Sequence, residues 1–451
     1  MGTPSNMQQS TGLESLPNEL LLMISDHLVE YEDDRISSHT ILTYPTKKSQ
    51  DHILSLRGAS CKLRDLNTQH MAEVIAARPL KLVHSDLSRL LTVLKGDATL
   101  AARVQTLGVS PAQPSAHILR VLESPEKGRK PPAELVVQYR RLVEEHRLLT
   151  KRNNDVNLLL QVMRLLPGLR TGRQHRMKGF TRQGWEKTRL GKFWDRECWA
   201  CKAVMAGRTI QVIFCMLDIA RPALEMLVLP DSFVMNVKHS LQGDYDIAAP
   251  SLRCSVQKLV FWTEPLRAVS NRWAVHNTPV LPNIKALDWG MRLHCRSCYS
   301  FFMKNTLQFE LKRGALNALR FIHVKLMAGQ EADLADLLIE LSGKLSLRHV
   351  SVDLYDNWDG WDVIVMALWG KIMLDSLLFY GMGAGYLHPT LENTSIPGDD
   401  WPAKRIMVIY GNSPFEIRTQ KPVGELWDPF WVPLNERWTR VTYPKNILGG
   451  T

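Results

Sequence analysis

A short apolar pattern that returns about every 30 residues constrains this chain most. Each instance has an apolar residue, two intervening residues, a second apolar residue, one intervening residue and a third apolar residue. The middle residues of successive instances are 27 to 32 positions apart, and a period in this range indicates stacked repeat units. The instances are Leu224, Leu227 and Leu229; Val256, Leu259 and Phe261; Ile284, Leu287 and Trp289; Leu316, Leu319 and Phe321; Leu347, Val350 and Val352; Leu374, Leu377 and Phe379; and an incomplete one, Met407 and Ile409.

The segments between these instances carry a helical apolar spacing. Each unit is therefore predicted to be a strand, a loop, a helix and a second loop. Because one such unit cannot bury both its strand and its helix, neighbouring units must stack, with parallel strands on one side and helices on the other. An earlier strand is predicted at 104–109, since Leu107 precedes Leu227 by four average periods. The helical segments are marked by Leu334, Leu337, Leu338, Leu341 and Leu345, and by Trp361, Val365, Leu368 and Ile372.

This series resembles a leucine-rich-repeat solenoid. It departs from that family at the position eight residues after the first apolar residue of each instance, where the family motif has Asn or Cys. Without a stack of hydrogen-bonding side chains at this position, we expect irregular and unevenly curved units. The residues found there are Ser232, Glu264, Arg292, Val324, Tyr355 and Met382.

Alternating strands and helices also occur in nucleotide-binding sheets and in α/β barrels, so an enzyme has to be considered. Gly381, Gly383 and Gly385 do not form a dinucleotide-binding fingerprint, and the phosphate-loop, nucleophile-elbow and zinc-protease motifs are missing from the sequence. Four aspartates crowd the loop after the fifth strand, and we interpret them as a solvated turn with a helix cap. We expect no enzyme, no catalytic residue, no cofactor and no bound metal. The four aspartates are Asp353, Asp356, Asp359 and Asp362.

The segment 13–29, LESLPNELLLMISDHLV, is predicted to form an apolar helix. Pro17 suits the first helical position, and Glu19 lies in the first turn, where the helix dipole favours a negative charge. Leu16, Leu20, Ile24 and Leu28 recur every four residues, and the leucines between them leave few polar positions. A helix this apolar must be covered, either by its own domain or by another protein.

After a polar stretch at 31–50, a second helical segment is predicted to begin at Asp51 and to break near Gly58 and Ser60. Together, LPNELLLMISDHL and ILSLRGASCKLRDLN resemble the F-box, the three-helix module that docks substrate receptors onto the adaptor subunit of SCF-type ubiquitin ligases. The polar stretch departs from the family, in which these helices are joined closely. An ordinary helical bundle packed on the rest of the chain is the alternative.

The F-box resemblance implies a set of adaptor-binding candidates, which divide between packing the module and contacting a Skp-type cullin adaptor. The sequence does not assign either role to a particular residue. The candidates are Leu16, Pro17, Leu20, Ile24, Leu28, Leu54, Leu56, Cys61 and Leu63.

The positive charge is local. Residues 120–192 contain 18 Lys or Arg and 7 Asp or Glu, which accounts for the whole formal net charge of +11. Such a segment suits an acidic or phosphorylated target protein, because Arg and Lys pair with phosphate and carboxylate. We favour a solvated basic surface over a binding role for the segment, and without a nucleic-acid-binding motif we do not expect nucleic acid as a partner.

Cysteine usage and the lack of a long apolar run indicate the compartment. Seven cysteines among 451 residues do not suggest a disulfide framework. Two pairs, Cys198 with Cys201 and Cys295 with Cys298, have zinc-ligand spacing but lie 97 residues apart, so we do not expect a zinc site. We expect no membrane association and a cytoplasmic or nuclear protein.

The sequence thus predicts an α+β chain in which an F-box-like three-helix module precedes an irregular leucine-rich-repeat-like β/α solenoid. The expected function is substrate recognition for an SCF-type E3 ubiquitin ligase, and the alternative is a repeat-based interaction scaffold without a ligase role. The predicted boundaries are a disordered start at 1–12, the module at 13–75, the repeat domain at 76–410 with the basic insertion 120–192, and a capping tail at 411–451.

Overall fold

The computed structural model of the chain is a mixture of helices and strands, with most strands in one large sheet. The residues that it describes are 13–36, 40–111, 113–114, 116–123, 133–174, 208–209, 212–213, 215–217, 219–220, 223–229, 256–263, 284–291, 319–327, 331–345, 347–355, 360–368, 370–381, 405–410, 413–418 and 431–433.

Helices and strands are numbered in chain order. The helices are α1 (Asn18–His27), α2 (Lys47–Ala59), α3 (Cys61–Leu66), α4 (Thr68–Ala77), α5 (His84–Gly96), α6 (Ala98–Arg103), α7 (Ala116–Glu123), α8 (Ala133–Lys151), α9 (Asn154–Arg164), α10 (Glu331–Lys344) and α11 (Gly360–Leu368). The strands are β1 (Tyr31–Arg35), β2 (Ile41–Pro45), β3 (Leu80–Lys81), β4 (Thr106–Ser110), β5 (Thr171–Gln174), β6 (Met226–Leu229), β7 (Lys258–Thr263), β8 (Ala286–Met291), β9 (Phe321–Met327), β10 (His349–Tyr355), β11 (Ser376–Gly381), β12 (Arg405–Tyr410), β13 (Ser413–Arg418) and β14 (Trp431–Pro433). Each helix within these described ranges is too short or too polar to cross a lipid bilayer.

The large sheet runs from β3 to β14 in strict chain order. Every pairing from β3 to β12 is parallel, whereas β13 pairs antiparallel with β12 and β14 pairs antiparallel with β13. The segment predicted as a capping tail therefore adds two antiparallel strands to the last edge of the parallel strands. β1 and β2 form a separate antiparallel hairpin, which we call the β1–β2 hairpin.

One face of the sheet, here the helix face, is closed by the repeat residues. Side chains of successive strands meet there in register, and the leading residues before each strand lie beside them. All are at most 6% exposed and share one core with apolar residues of α5, α9, α10 and α11. This confirms the predicted helices near Leu334 and Val365. The strand residues are Leu107, Leu227, Leu259, Leu287, Ile322, Val350 and Leu377, and the leading residues are Val104, Leu169, Leu224, Val256, Ile284, Leu319, Leu347 and Leu374.

A backbone ladder fixes the start of these strands. The carbonyl of Gln105 accepts hydrogen bonds from the N–H groups of Arg170 and Thr171, both at 2.9 Å, and the carbonyl of Arg170 accepts from the two N–H groups that open β6. The same arrangement recurs unit after unit, with Glu225, Gln257, Lys285, Arg320 and Arg348 as the next acceptors. The ladder satisfies backbone groups that would otherwise be buried unpaired, and it holds all the units in one register.

Two instances of the predicted repeat were placed wrongly. Ile322, rather than Leu319, lies in register with Leu287 and Val350, because the sequence around 316–324 satisfies the apolar pattern twice with an offset of three. Ile406, rather than Met407, pairs with Leu377, since four consecutive apolar residues in β12 hide the alternation. The strand predicted around Leu107 is confirmed as β4.

One strand, β5, lies between β4 and β6 in the sheet. Its Gly172 is in register with Leu107 and Leu227, at a position where the other strands carry a large apolar residue. A Cβ atom on Gly172 would lie 3.3 Å from Leu224 Cδ1 and 3.4 Å from Leu227 Cδ1. The leucines of the next unit therefore fill the space that a side chain would take. Because Gly172 takes the place of the middle apolar residue of the repeat, the unit that contains β5 does not show the apolar pattern in the sequence.

Residues 133–166 form two helices, α8 and α9, that separate at Asn153, which has a left-handed backbone. Within the basic insertion, residues 171–174 form β5. One predicted boundary was wrong. α2 begins at Lys47 rather than at Asp51, because Thr46 caps it by accepting a 3.3 Å hydrogen bond from the Ser49 N–H. The predicted break near Ser60 is confirmed, since the Ser60 hydroxyl caps α3.

We predict that Gly168→Ala destabilises the fold, because a Cβ atom there would lie 2.3 Å from the backbone oxygen of Ala102 in the preceding unit. The backbone must shift to relieve this contact, and we expect a loss of about 1–3 kcal/mol in the free energy of unfolding, measured by chemical denaturation. Gly343→Ala in α10 is the matched control, since its Cβ would meet open space, and it should raise that free energy by up to about 1 kcal/mol. Equal effects of the two changes would contradict the close approach.

Candidate functional site

The first candidate surface is on α1. Its inward side consists of Leu21 and Ser25, each 1% exposed, and the Ser25 hydroxyl donates a 2.9 Å hydrogen bond to the Leu21 carbonyl. Lys62 of α3 fixes the start of the helix, because its Nζ donates to the carbonyls of Glu14 and Leu16 at 2.9 and 2.8 Å. These contacts determine which side of α1 faces outward.

The outward side of α1 carries several large apolar residues beside the exposed polar residues Asn18, Glu19, Asp26 and His27. Met23 is 56% exposed, and four further large apolar residues are between 36% and 44% exposed. We call this set the α1 patch. A cluster of exposed leucine, isoleucine and methionine on one short helix is a common mark of an interaction site. The α1 patch consists of Leu20, Leu22, Met23, Ile24 and Leu28.

The nine predicted adaptor-binding residues divide into three groups. Leu63 is buried and packs the module, whereas Leu16, Leu54 and Leu56 are half-buried. Leu22 and Met23 belong to the surface although they were not among the nine. Their signal in the sequence was the apolar character of the whole helix. The five exposed candidates are Pro17, Leu20, Ile24, Leu28 and Cys61.

A polar network ties α1 and the hairpin to α4. His70 Nε2 lies 2.9 Å from Asp26 Oδ1 of α1, and Nδ1 lies 3.6 Å from Glu73 Oε2. The Tyr31 hydroxyl of β1 donates a 2.7 Å hydrogen bond to the same Glu73 carboxylate. The Glu73 and Asp26 carboxylates raise the pKa of His70 against the opposing effect of its burial. Beside this network, Val29, Ile53 and Val74 form a small core that joins α1, α2 and α4.

The second candidate surface is the sheet face opposite the helices, which carries Arg173 of β5. Arg173 is 2% exposed and forms an ion pair with Asp34 of β1. Its Nη1 also donates a 2.9 Å hydrogen bond to the Tyr44 hydroxyl of β2, and its guanidinium lies 5.4 Å from the centre of the Tyr44 ring. The polar stretch 31–50 therefore reaches the repeat sheet and covers part of it.

The same sheet face continues across β6, β7 and β8. Ile36, 1% exposed, packs against Val228 and Val260, which are both fully buried. Beyond them, the Thr40 hydroxyl donates a 2.5 Å hydrogen bond to Asp288 Oδ2. We call the surface formed by Arg173, Val228, Val260 and Asp288 the hairpin face.

A buried polar row extends from this face along β9 and β10. His323 Nδ1 lies 3.1 Å from Ser351 Oγ, and His323 Nε2 lies 3.9 Å from Asp288 Oδ1. A serine, a histidine and an aspartate in this order can form a nucleophile and its base. All three side chains are at most 1% exposed, so a substrate cannot reach Ser351 Oγ in this conformation. The row follows from in-register stacking of neighbouring strands.

The basic segment is only partly described. Arg173 lies in this segment but is neither solvated nor available at the surface, because it is buried against the hairpin. Arg170 remains outward, with its side chain 62% exposed, and lies 3.6 Å from Glu225. The cysteine pairs and the rest of 175–207 lie outside the described residues, as do 1–12 and the side chains of the four clustered aspartates.

Comparison of this chain with models of known protein families, with curated proteins and with solved structures gave no match. In the part of the chain that the structure describes, three or more acidic, histidine or cysteine side chains do not come together in a way that would hold a metal ion. Among the described residues, the α1 patch and the hairpin face are the two candidate functional surfaces.

We predict that His70 stabilises the fold most in mild acid. The pKa of His70 is raised in the folded chain. Its contribution to the free energy of unfolding is therefore complete at pH values below the pKa of the unfolded chain, and it is lost as the pH rises through the pKa of the folded chain. Against wild type, His70→Gln should lower the free energy of unfolding by about 0.5–1 kcal/mol more at pH 5.5 than at pH 8.5, since Asp26 is largely exposed and screened. Glu73→Gln should reduce this pH dependence, and a loss that is equal at both pH values would contradict the ion pair.

Proposed function

We propose that this chain is a non-catalytic substrate receptor of an SCF-type ubiquitin ligase. In this proposal, α1 to α4 form an F-box-like module that docks onto a Skp-type cullin adaptor, and the large sheet with its helices forms a leucine-rich-repeat-like solenoid that holds a target protein. The exposure of the α1 patch carries the proposal, because the predicted adaptor-binding residues Leu20, Ile24 and Leu28 are on the outward side of the helix.

The energetics of the α1 patch support a docking role. Burial of a leucine, isoleucine or methionine side chain contributes about 1.5–3 kcal/mol, and these residues retain only part of that contribution while exposed. A partner that covers five of them recovers several kcal/mol, which is large relative to the effect of scattered surface contacts. Leu21, Ser25 and the Lys62 hydrogen bonds hold the helix in place, so little ordering is needed on binding.

The sheet supports the solenoid part of the proposal. Its parallel strands follow one another in chain order, the apolar residues before and within each strand recur in register, and α10 and α11 each connect two neighbouring strands. Each unit therefore packs only against its neighbours, as in repeat proteins. Such a surface is long enough to contact a protein target along several strands.

A receptor of this kind supplies no reacting group. It holds a captured target beside a ubiquitin-charged enzyme, and the tether raises the effective concentration of the target there. The excess of positive charge in 120–192 favours an acidic or phosphorylated target. Arg173 is engaged by Asp34 while the β1–β2 hairpin is in place, so in that state the preference comes from the other basic residues of the segment.

We predict that Leu20→Arg combined with Ile24→Arg abolishes adaptor binding without unfolding the chain. Both side chains are more than a third exposed, so the free energy of unfolding should change by less than about 1 kcal/mol. Two charges in an apolar contact should weaken adaptor binding at least about 100-fold, or about 2.7 kcal/mol, as measured by calorimetry with purified adaptor.

The matched control is Val363→Arg combined with Met366→Arg on α11, where the two apolar side chains are 50% and 53% exposed and distant in sequence from α1. This control should bind adaptor as wild type does. Wild-type binding by the folded α1 variant would reject the F-box assignment. If neither wild type nor control binds the adaptor, an interaction scaffold without a ligase role remains.

A further inference from the structure

The β1–β2 hairpin contacts the hairpin face as a bound ligand would. Three hairpin residues are anchored in sequence order along the sheet: Asp34 on Arg173 of β5, Ile36 on Val228 and Val260 of β6 and β7, and Thr40 on Asp288 of β8. These strands are neighbours with a spacing of about 4.8 Å, so the anchors span about 14 Å of the sheet. Arg173 and Asp288 thus lie at the two ends of the contact, and the apolar side chains of Val228 and Val260 lie between them.

The chemistry of this contact differs from that of the helix face. The helix face is closed by aliphatic side chains, whereas the hairpin face buries two charged residues, Arg173 at 2% and Asp288 at 0% exposure. Burial of charges is costly even when they are paired, and exposure to water restores their hydration. Arg173 Nε, moreover, has no hydrogen-bond acceptor among the described residues. A contact of this composition is suited to open and close.

The hairpin is also built to move as a unit. Its strands pair with each other, and at its tip the Ile36 N–H donates a 2.8 Å hydrogen bond to the Thr40 carbonyl. At its base, the Thr46 N–H donates to the Glu30 carbonyl and the Glu30 N–H donates to Ser49 Oγ, both at 2.8 Å. These bonds close the base, so the hairpin keeps its own pairing when its contacts with Arg173, Val228, Val260 and Asp288 open.

We propose that the hairpin face is a binding site for a polypeptide that folds into a β-hairpin and that the β1–β2 hairpin occupies it in the free chain. The guest presents a carboxylate two residues before an aliphatic residue and a hydroxyl four residues after it, as Asp34, Ile36 and Thr40 do. Binding of the guest displaces the hairpin. That the guest is a ligase target rests on the proposed function, whereas the site itself does not.

The test uses a fluorescent peptide with the sequence of residues 31–45 as the guest, and anisotropy as the measurement. Asp34→Ala combined with Ile36→Ala in the full chain weakens the internal competitor, so the peptide should bind this variant at least 10-fold more tightly than wild type. Addition of Arg173→Ala should remove that binding. A peptide carrying the same two alanines should not bind.

The matched control is Asp33→Ala, which removes the neighbouring carboxylate. Asp33 points to the other side of β1 and accepts a 2.9 Å hydrogen bond from Thr43 within the hairpin. This variant should bind the peptide as weakly as wild type does. Tight binding by it would contradict a specific role of Asp34 and Ile36.

The proposal is overturned if the peptide does not bind the folded Asp34→Ala, Ile36→Ala chain, or if its binding does not depend on Arg173. If that chain fails to fold, Thr40→Ala is used instead, and its affinity for the peptide should be a few-fold higher than that of wild type. An affinity equal to that of wild type would count against the site. Adaptor binding is measured on the same proteins. Peptide binding without adaptor binding refutes the ligase role and supports the site. Adaptor binding without peptide binding refutes the site and leaves the ligase role standing.

Discussion

The backbone ladder that joins each strand entry to the carbonyl of the preceding unit holds the sheet in a single register. Because of that register, alternate residues of every strand point to the same two faces over the whole sheet. Residues such as Leu227 and Val350 then form a continuous apolar column under the helices, and a single glycine, Gly172, is accommodated because its neighbours fill the space. The other face receives the residues between them, among them Arg173 and Asp288, and so acquires a different chemistry.

The hairpin depends on that second face. β1 reads Tyr-Glu-Asp-Asp-Arg, a composition with little tendency to form a strand, and it needs the Arg173 ion pair and the pocket for Ile36 to lie where it does. Through Tyr31 and Glu73 the hairpin is also connected to α4, and through His70 to α1. The helices that carry the α1 patch are thereby fixed relative to the sheet by contacts between residues more than 100 positions apart. The insertion thus adds a second connection to the direct one, in which Ala72 of α4 packs in the core of the sheet and Arg57 of α2 pairs with Asp97.

Much of the sheet was predictable, since apolar residues such as Leu224 and Leu227 recur at a nearly constant period and cannot be buried by one unit. The register error at Ile322 arose because a pattern of three apolar positions can be satisfied twice in an apolar strand. The hairpin and β5 were not predicted, because a polar strand held by a distant arginine has no periodic signal of its own. The α1 helix was predicted, but its outward side was not, since Leu21 and Leu20 differ only in the tertiary contacts that bury the first.

The proposed occupation of the hairpin face has a quantitative consequence for target capture. The apparent affinity of a site falls by the fraction of molecules in which it is open. A hairpin that favours the closed state by about 2.7 kcal/mol therefore weakens the apparent affinity for a guest about 100-fold. A guest with only one of the anchors replaces a small part of the hairpin's contacts, whereas one that contacts Arg173, Val228 with Val260, and Asp288 replaces the contacts of Asp34, Ile36 and Thr40. The factor is the same for every guest, so the closed hairpin leaves the ratio of their affinities unchanged and raises the concentration at which a partial match occupies the site.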